Sequence, residues 1–165
     1  MNEFNNPPAA NPAGELFQNR PNRLQRILVV EEESDLRQLN ADLLLDAGYE
    51  IEIAEDGKAA WAALQLHNYD LLITGQFLPK LSGVELLKKL HAAHMTLPVI
   101  MATGILPTWE FALHPFLQAV KMLRKPYTMD KLLGMVKSVL PTGVRAESAP
   151  ALSGQSQPAA DQLRV

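Results

Sequence analysis

Short apolar runs alternate with amphipathic stretches along the middle of this chain. Arg26-Ile27-Leu28-Val29-Val30 is a run of the kind that forms a strand buried on both faces. A helical period follows over 34–47, with Leu36, Leu39, Leu43 and Ala47 on one face, Ser34 placed to cap its start and Gly48 to end it. Residues 49–54 alternate as a half-exposed strand does. A short helix is predicted over 59–66, with Ala60, Trp61 and Leu64 inward, and a buried strand over 71–73. A helix carrying Leu86, Leu87 and Leu90 is predicted over 84–93, and a fourth strand over 98–102. The pattern weakens over 109–117, where Pro115 removes a backbone donor and must kink or end the helix. A fifth strand over 120–123 and a last amphipathic helix over 129–140, capped by Thr128, close the series. Five strands alternating with five helices predict an α/β fold, a doubly wound parallel sheet with any ligand site at the carboxyl ends of its strands.

The two ends lack this pattern. Residues 1–24 contain Asn5-Asn6-Pro7-Pro8-Ala9-Ala10-Asn11-Pro12, and residues 141–165 are rich in Pro, Ala, Ser, Gly and Gln. Such segments bury too little to offset the entropy of ordering, so both are expected to be disordered tails, with Leu16-Phe17 as an exception able to dock locally. The folded unit is then 25–140, which leaves no room after it for a DNA-binding or catalytic output domain. Composition narrows the function. The chain of 165 residues is 47% hydrophobic and 20% charged, ordinary for one globular domain. A net charge of -3 gives no basic field for nucleic acid or for a membrane surface. The absence of cysteine removes disulfides and Cys-based metal sites. No apolar run reaches the roughly 18 residues of a membrane span, and the N-terminus lacks a signal-peptide pattern, so a cytoplasmic location is expected.

The remaining signal lies at the predicted strand ends. Glu31-Glu32-Glu33 follows the first strand, and Tyr69-Asp70-Leu71-Leu72-Ile73-Thr74-Gly75-Gln76-Phe77-Leu78-Pro79 contains the third, with Ser82-Gly83-Val84-Glu85-Leu86 after it. Thr103 closes the fourth, and Lys125-Pro126-Tyr127-Thr128-Met129-Asp130 follows the fifth. This ordered set resembles the receiver domains of response regulators over nearly the whole folded unit. The resemblance implies the flavodoxin/CheY-like strand order 2-1-3-4-5. It also implies a pocket in which an acidic cluster, here Glu31 and Glu32, holds Mg2+. An aspartate at the end of the third strand accepts a phosphoryl group, and Thr103 and Lys125 answer to it. In this chain the aspartate's position falls on Gly75, and the aromatic switch position falls on Met122.

Phosphoryl transfer needs a carboxylate nucleophile, and glycine has none. The lost aspartate would also have been a metal ligand, while Glu31 and Glu32 are each one methylene longer than the family's aspartates. The expectation is therefore no cofactor, no bound Mg2+, vestigial metal ligands at Glu31 and Glu32, and Lys125 paired with one of them. Thr103 is read either as a strand-end hydroxyl bonded to backbone or as a residual anion contact. No catalytic role is assigned to any residue: His67, His91, His94 and His114 lack metal spacing, and neither a phosphate-binding glycine loop nor a nucleophile elbow occurs. What remains is binding. In receivers the fourth helix and fifth strand commonly meet partners, and here that region carries Trp109, Phe111 and Met122. The expected function is a stand-alone bacterial pseudo-receiver of two-component phosphorelay signalling, not an enzyme, acting by phosphorylation-independent protein–protein interaction. Its partner would be a histidine kinase, another response regulator or an output protein, with a homodimer as a further arrangement, and neither nucleic acid nor membrane. The alternatives are a receiver modified through Glu31 or Glu32, and a small enzyme on a flavodoxin-like sheet.

Overall fold

A computed structural model of the chain describes residues 23–140. The apolar runs become the strands of one sheet: β1 (Arg26–Val30), β2 (Glu50–Ala54), β3 (Leu71–Gly75), β4 (Val99–Thr103) and β5 (Lys121–Arg124). All pairings are parallel, in the order β2-β1-β3-β4-β5. This is the expected order, with its reversal between β1 and β3. The helices α1 (Ser34–Asp46), α2 (Gly57–Leu66), α3 (Gly83–Ala92), α4 (Thr108–Leu113) and α5 (Met129–Val139) connect or follow the strands, with a 3₁₀ segment at Pro115–Ala119. Two apolar layers sandwich the sheet. Leu28, Leu72 and Met101 meet Leu64 of α2 and Leu86 and Leu90 of α3 on one face. Ile27, Ile73, Ile100 and Leu123 meet Leu44 of α1 and Leu132 and Val136 of α5 on the other. Successive strand residues point to opposite faces, so β3 and β4, covered on both, are buried along their whole length.

The helices differ in how firmly the sequence fixes them. In α3 the Ser82 hydroxyl accepts from the Glu85 amide, and the Glu85 carboxylate accepts in return from the Ser82 amide at 2.8 Å. Five of its ten residues are buried. Thr128 caps α5 as expected. In α1 two expectations fail. Glu33, not Ser34, occupies the cap position, and no side chain caps the helix. Ser34 already has helical geometry, which denies its hydroxyl the reach of a capping residue. The buried face is Asn40, Ala41 and Leu44, whereas Leu39 is 51% exposed and Ala47 is also exposed. On that face Leu44 enters the core, and the Asn40 amide donates to the hydroxyl of Tyr127, just before α5, at 2.9 Å. Gly48 ends the helix as expected, at φ +91°.

The weak helix breaks at its proline. α4 stops at Leu113, His114 is extended, and Pro115 opens the 3₁₀ segment. No residue of α4 is buried. The expected tails lie outside the described residues except for Arg23 and Leu24, as does Leu16-Phe17. No described helix is long and apolar enough to cross a membrane.

Candidate functional site

Strand order makes the site. β1, β3 and β4 are adjacent and parallel, so Glu31 just past β1, Gly75 at the end of β3 and Thr103 at the end of β4 lie along one edge. Lys125 follows β5 and reaches back: its ammonium donates to Glu31 Oε2 at 2.7 Å. Glu31 is only 4% exposed. A buried carboxylate requires such a partner, because desolvating it alone is costly. A Cβ built on Gly75 would sit 3.6 Å from the same oxygen and 3.3 Å from Leu78 Cδ2. The position expected to carry the nucleophile therefore faces the ion pair, with Leu78 partly filling its space.

The other site residues are engaged locally. The Thr103 hydroxyl donates to the Ile105 carbonyl at 2.8 Å and accepts from the Ile105 amide at 3.2 Å. The bonds correspond to the backbone-bonded reading of that hydroxyl. Glu32 is exposed, and its carbonyl, like that of Glu31, accepts from the Arg37 guanidinium. Mg2+ demands a near-octahedral shell of oxygens. Glu31 is held by Lys125, Glu32 is exposed, and Gly75 supplies no side chain, so this donor set fits the ion poorly. Among the described residues no group of three or more His, Asp or Glu side chains is arranged to hold a metal.

Sequence reasoning missed Asp56 and Lys80. The Asp56 carboxylate, buried, accepts from the Ala59 amide at the start of α2 and from the Lys80 ammonium in the β3–α3 loop. The Lys80 bond first, then the amide bond, hold this carboxyl below the usual aspartate range. Gly57 brings the α2 backbone against the loop: any Cβ there would overlap the Leu81 carbonyl, and the Gly57 amide donates to the Pro79 carbonyl at 3.3 Å. An Asp-Gly pair ahead of a helical run was the available signal, since Asp is a strong capping residue.

Beside this pinned loop lies the proposed partner face. Trp109 is 64% exposed and Leu113 63%, with Ile105 and Leu106 also exposed before them. Phe111 and Met122 are half-buried and pack against the core. Glu110 ties α4 to α3 through Lys88 at 2.9 Å.

Known proteins share this architecture. The response regulator receiver domain family matches residues 27–137. The transcriptional regulatory protein DltR of Streptococcus agalactiae is 32% identical over 112 residues, covering 68% of this chain and 50% of that protein. The response regulator receiver protein CpdR of Brucella abortus is 28% identical over 120 residues, covering 71% of this chain and 98% of that protein. The chain thus spans about half the length of DltR and of several other curated relatives. Among solved structures, the chemotaxis response regulator CheY4 of Vibrio cholerae superposes with a TM-score of 0.64 at 28% identity, covering 72% of this chain and all of that one. With its strand order, its edge of Glu31, Gly75, Thr103 and Lys125, and this match across 27–137, the chain belongs to the receiver-domain family of response regulators in two-component signalling.

Proposed function

We propose that this chain is a pseudo-receiver that signals by binding a protein partner, with no phosphoryl group at Gly75 and no need of Mg2+. The observation that carries this reading is the Lys125–Glu31 pair at 2.7 Å beside a residue without a side chain. The cation that would answer an acyl phosphate is already neutralised, and no nucleophile is present to form one. Modification through Glu31 is disfavoured because its carboxylate is buried and held by Lys125. Glu32 is exposed, and the groups that would stabilise a phosphoryl oxygen are engaged elsewhere, Thr103 with Ile105 and Lys125 with Glu31. The module is read as non-enzymatic and cytoplasmic, and its partner as another protein of the signalling chain: a histidine kinase, a response regulator or an output protein.

Incubation with a small phosphodonor should leave no acid-labile, hydroxylamine-sensitive label. Stable label of that kind would overturn the reading. The partner face is tested separately. Trp109→Ala should weaken the complex by about 2 kcal/mol or more, as truncation of an aromatic hot spot does. Circular dichroism should stay unchanged, and Thr103→Ala should bind as the parent does. Loss of binding in Thr103→Ala would return control to the old pocket.

A further inference from the structure

At the opposite, amino-terminal edge of the sheet lies an apolar groove that the signalling pocket does not use. It has a volume of about 500 Å³ and runs between the end of α3 and the 3₁₀ segment, lined by Leu90, His91, Leu97, Val99, Phe116 and Val120. The 3₁₀ segment, which carries the chain from α4 into β5, forms one side of it. One wall is a stacked pair, His91 on Phe116 with ring centroids 4.0 Å apart. A smaller hollow lined by Leu64, His67 and Tyr69 shares Met95, Thr96 and Leu97 with it, so the apolar track continues toward β3.

β1 begins at Arg26 on the same edge. The Arg26 amide donates to Asp70 Oδ2 at 2.7 Å, and the Arg23 guanidinium to the same oxygen at 2.9 Å. The Arg23 side chain is thereby held to Asp70, the residue before β3. Leu16-Phe17 lies six to seven residues further back, a reach of about 20 Å in extended chain. The span from β1 to the gap between β4 and β5 is about two and a half strand spacings, roughly 12 Å. The segment 141–165 follows α5, which packs on the other face of the sheet.

We infer that Leu16-Phe17 seats in this groove, as an intramolecular strap across the amino-terminal edge of the sheet. The pair is the one adjacent couple of large apolar residues in 1–22, and burying both offers the groove a guest of its own chemistry. Tethering raises the local concentration of that guest, as with any linked binding element.

The chain has no cysteine, so Glu15→Cys gives a single attachment point for a nitroxide on the full-length ¹⁵N-enriched protein. The oxidised label should remove most of the amide signal of Leu97, Val99, Ala119 and Val120 relative to the reduced label, and spare Glu31 and Thr103 at the far edge. Adding Leu16→Ser with Phe17→Ser should restore the groove signals. Absence of broadening at the groove overturns the inference, and so does broadening that survives the double substitution. Broadening that also appears in a mixture of labelled unenriched and unlabelled enriched protein would assign the groove to a second copy and overturn it too.

Discussion

The loops leaving β3 and β4 start side by side at the carboxyl edge of the sheet and are held very differently. The loop over 76–82 is fastened along its length. The Gly83 amide closes on the Gln76 carbonyl at 2.9 Å, Lys80 is tied to Asp56, Gly57 lies against Leu81, and the loop ends in the capping box of α3. Lys80 keeps φ at 65°, a left-handed conformation unfavourable for most side chains, under these constraints. The loop after Thr103 has the Thr103–Ile105 pair and a Thr108–Leu106 backbone bond; it exposes Ile105 and Leu106 and leads into a helix with no side-chain cap and no buried residue, tied to α3 by Glu110 and Lys88. Backbone packed against backbone cannot shift without a clash, whereas an exposed segment with few buried contacts adapts at small cost. The loop that follows Gly75 is the firmly held one, and the freedom to adapt lies in the neighbouring loop and α4.

Glycine substitutions should break that contrast most sharply. Gly57→Ala drives a Cβ into the Leu81 carbonyl and should cost about 3 kcal/mol, as overpacking at a backbone contact does. Gly104→Ala, with no atom within 4 Å of the new Cβ, should stay within about 0.5 kcal/mol. Urea midpoints of the two variants measure the difference, and equal losses would show that the two loops are held alike. Gly75→Asp should come next. Its carboxylate would enter beside Glu31 and compete for Lys125, so about 1 kcal/mol should be lost without Mg2+ and regained with it. Phosphodonor labelling of that variant should be partial, because Glu31 and Glu32 place an ion imperfectly and near-attack geometry is sensitive to about 1 Å. Labelling as fast as in an intact receiver would mean that only one atom group separates this site from activity. Ser82→Ala should remove about 1 kcal/mol by opening the capping box at the end of the pinned loop.

The smallest effect is one of pH. Lys80 keeps the Asp56 carboxyl below its ordinary value of 3.8, so the folded state binds fewer protons than the unfolded state in that range. The latch contributes fully above that value and is lost as pH falls through the lowered one. Urea midpoints taken below pH 3.8 should therefore decline less steeply in Asp56→Asn than in the parent, with no difference in slope near neutrality.

The sheet was legible in the sequence because its strands are local apolar runs, and Pro115 announced the break in α4 for an equally local reason. The buried face of α1 was not. Leu39 looks like core and Asn40 like surface until Tyr127, far along the chain, offers Asn40 a partner. At the site, Gly75, Glu31 and Lys125 were readable from the family resemblance, and their contact follows from strand order. The Asp56–Lys80 latch was not anticipated, because its two halves sit in different loops that only the crossover of α2 brings together.

The pair of Glu31 and Lys125 bears on how information passes through such a protein. A phosphorylated receiver reports the recent history of a kinase, since its charge is written and erased. On the reading proposed above, a module whose Lys125 ammonium is balanced by its own Glu31 carries no such record. What a cell can vary is then the number of copies present, and the protein becomes a measure of its own synthesis and turnover.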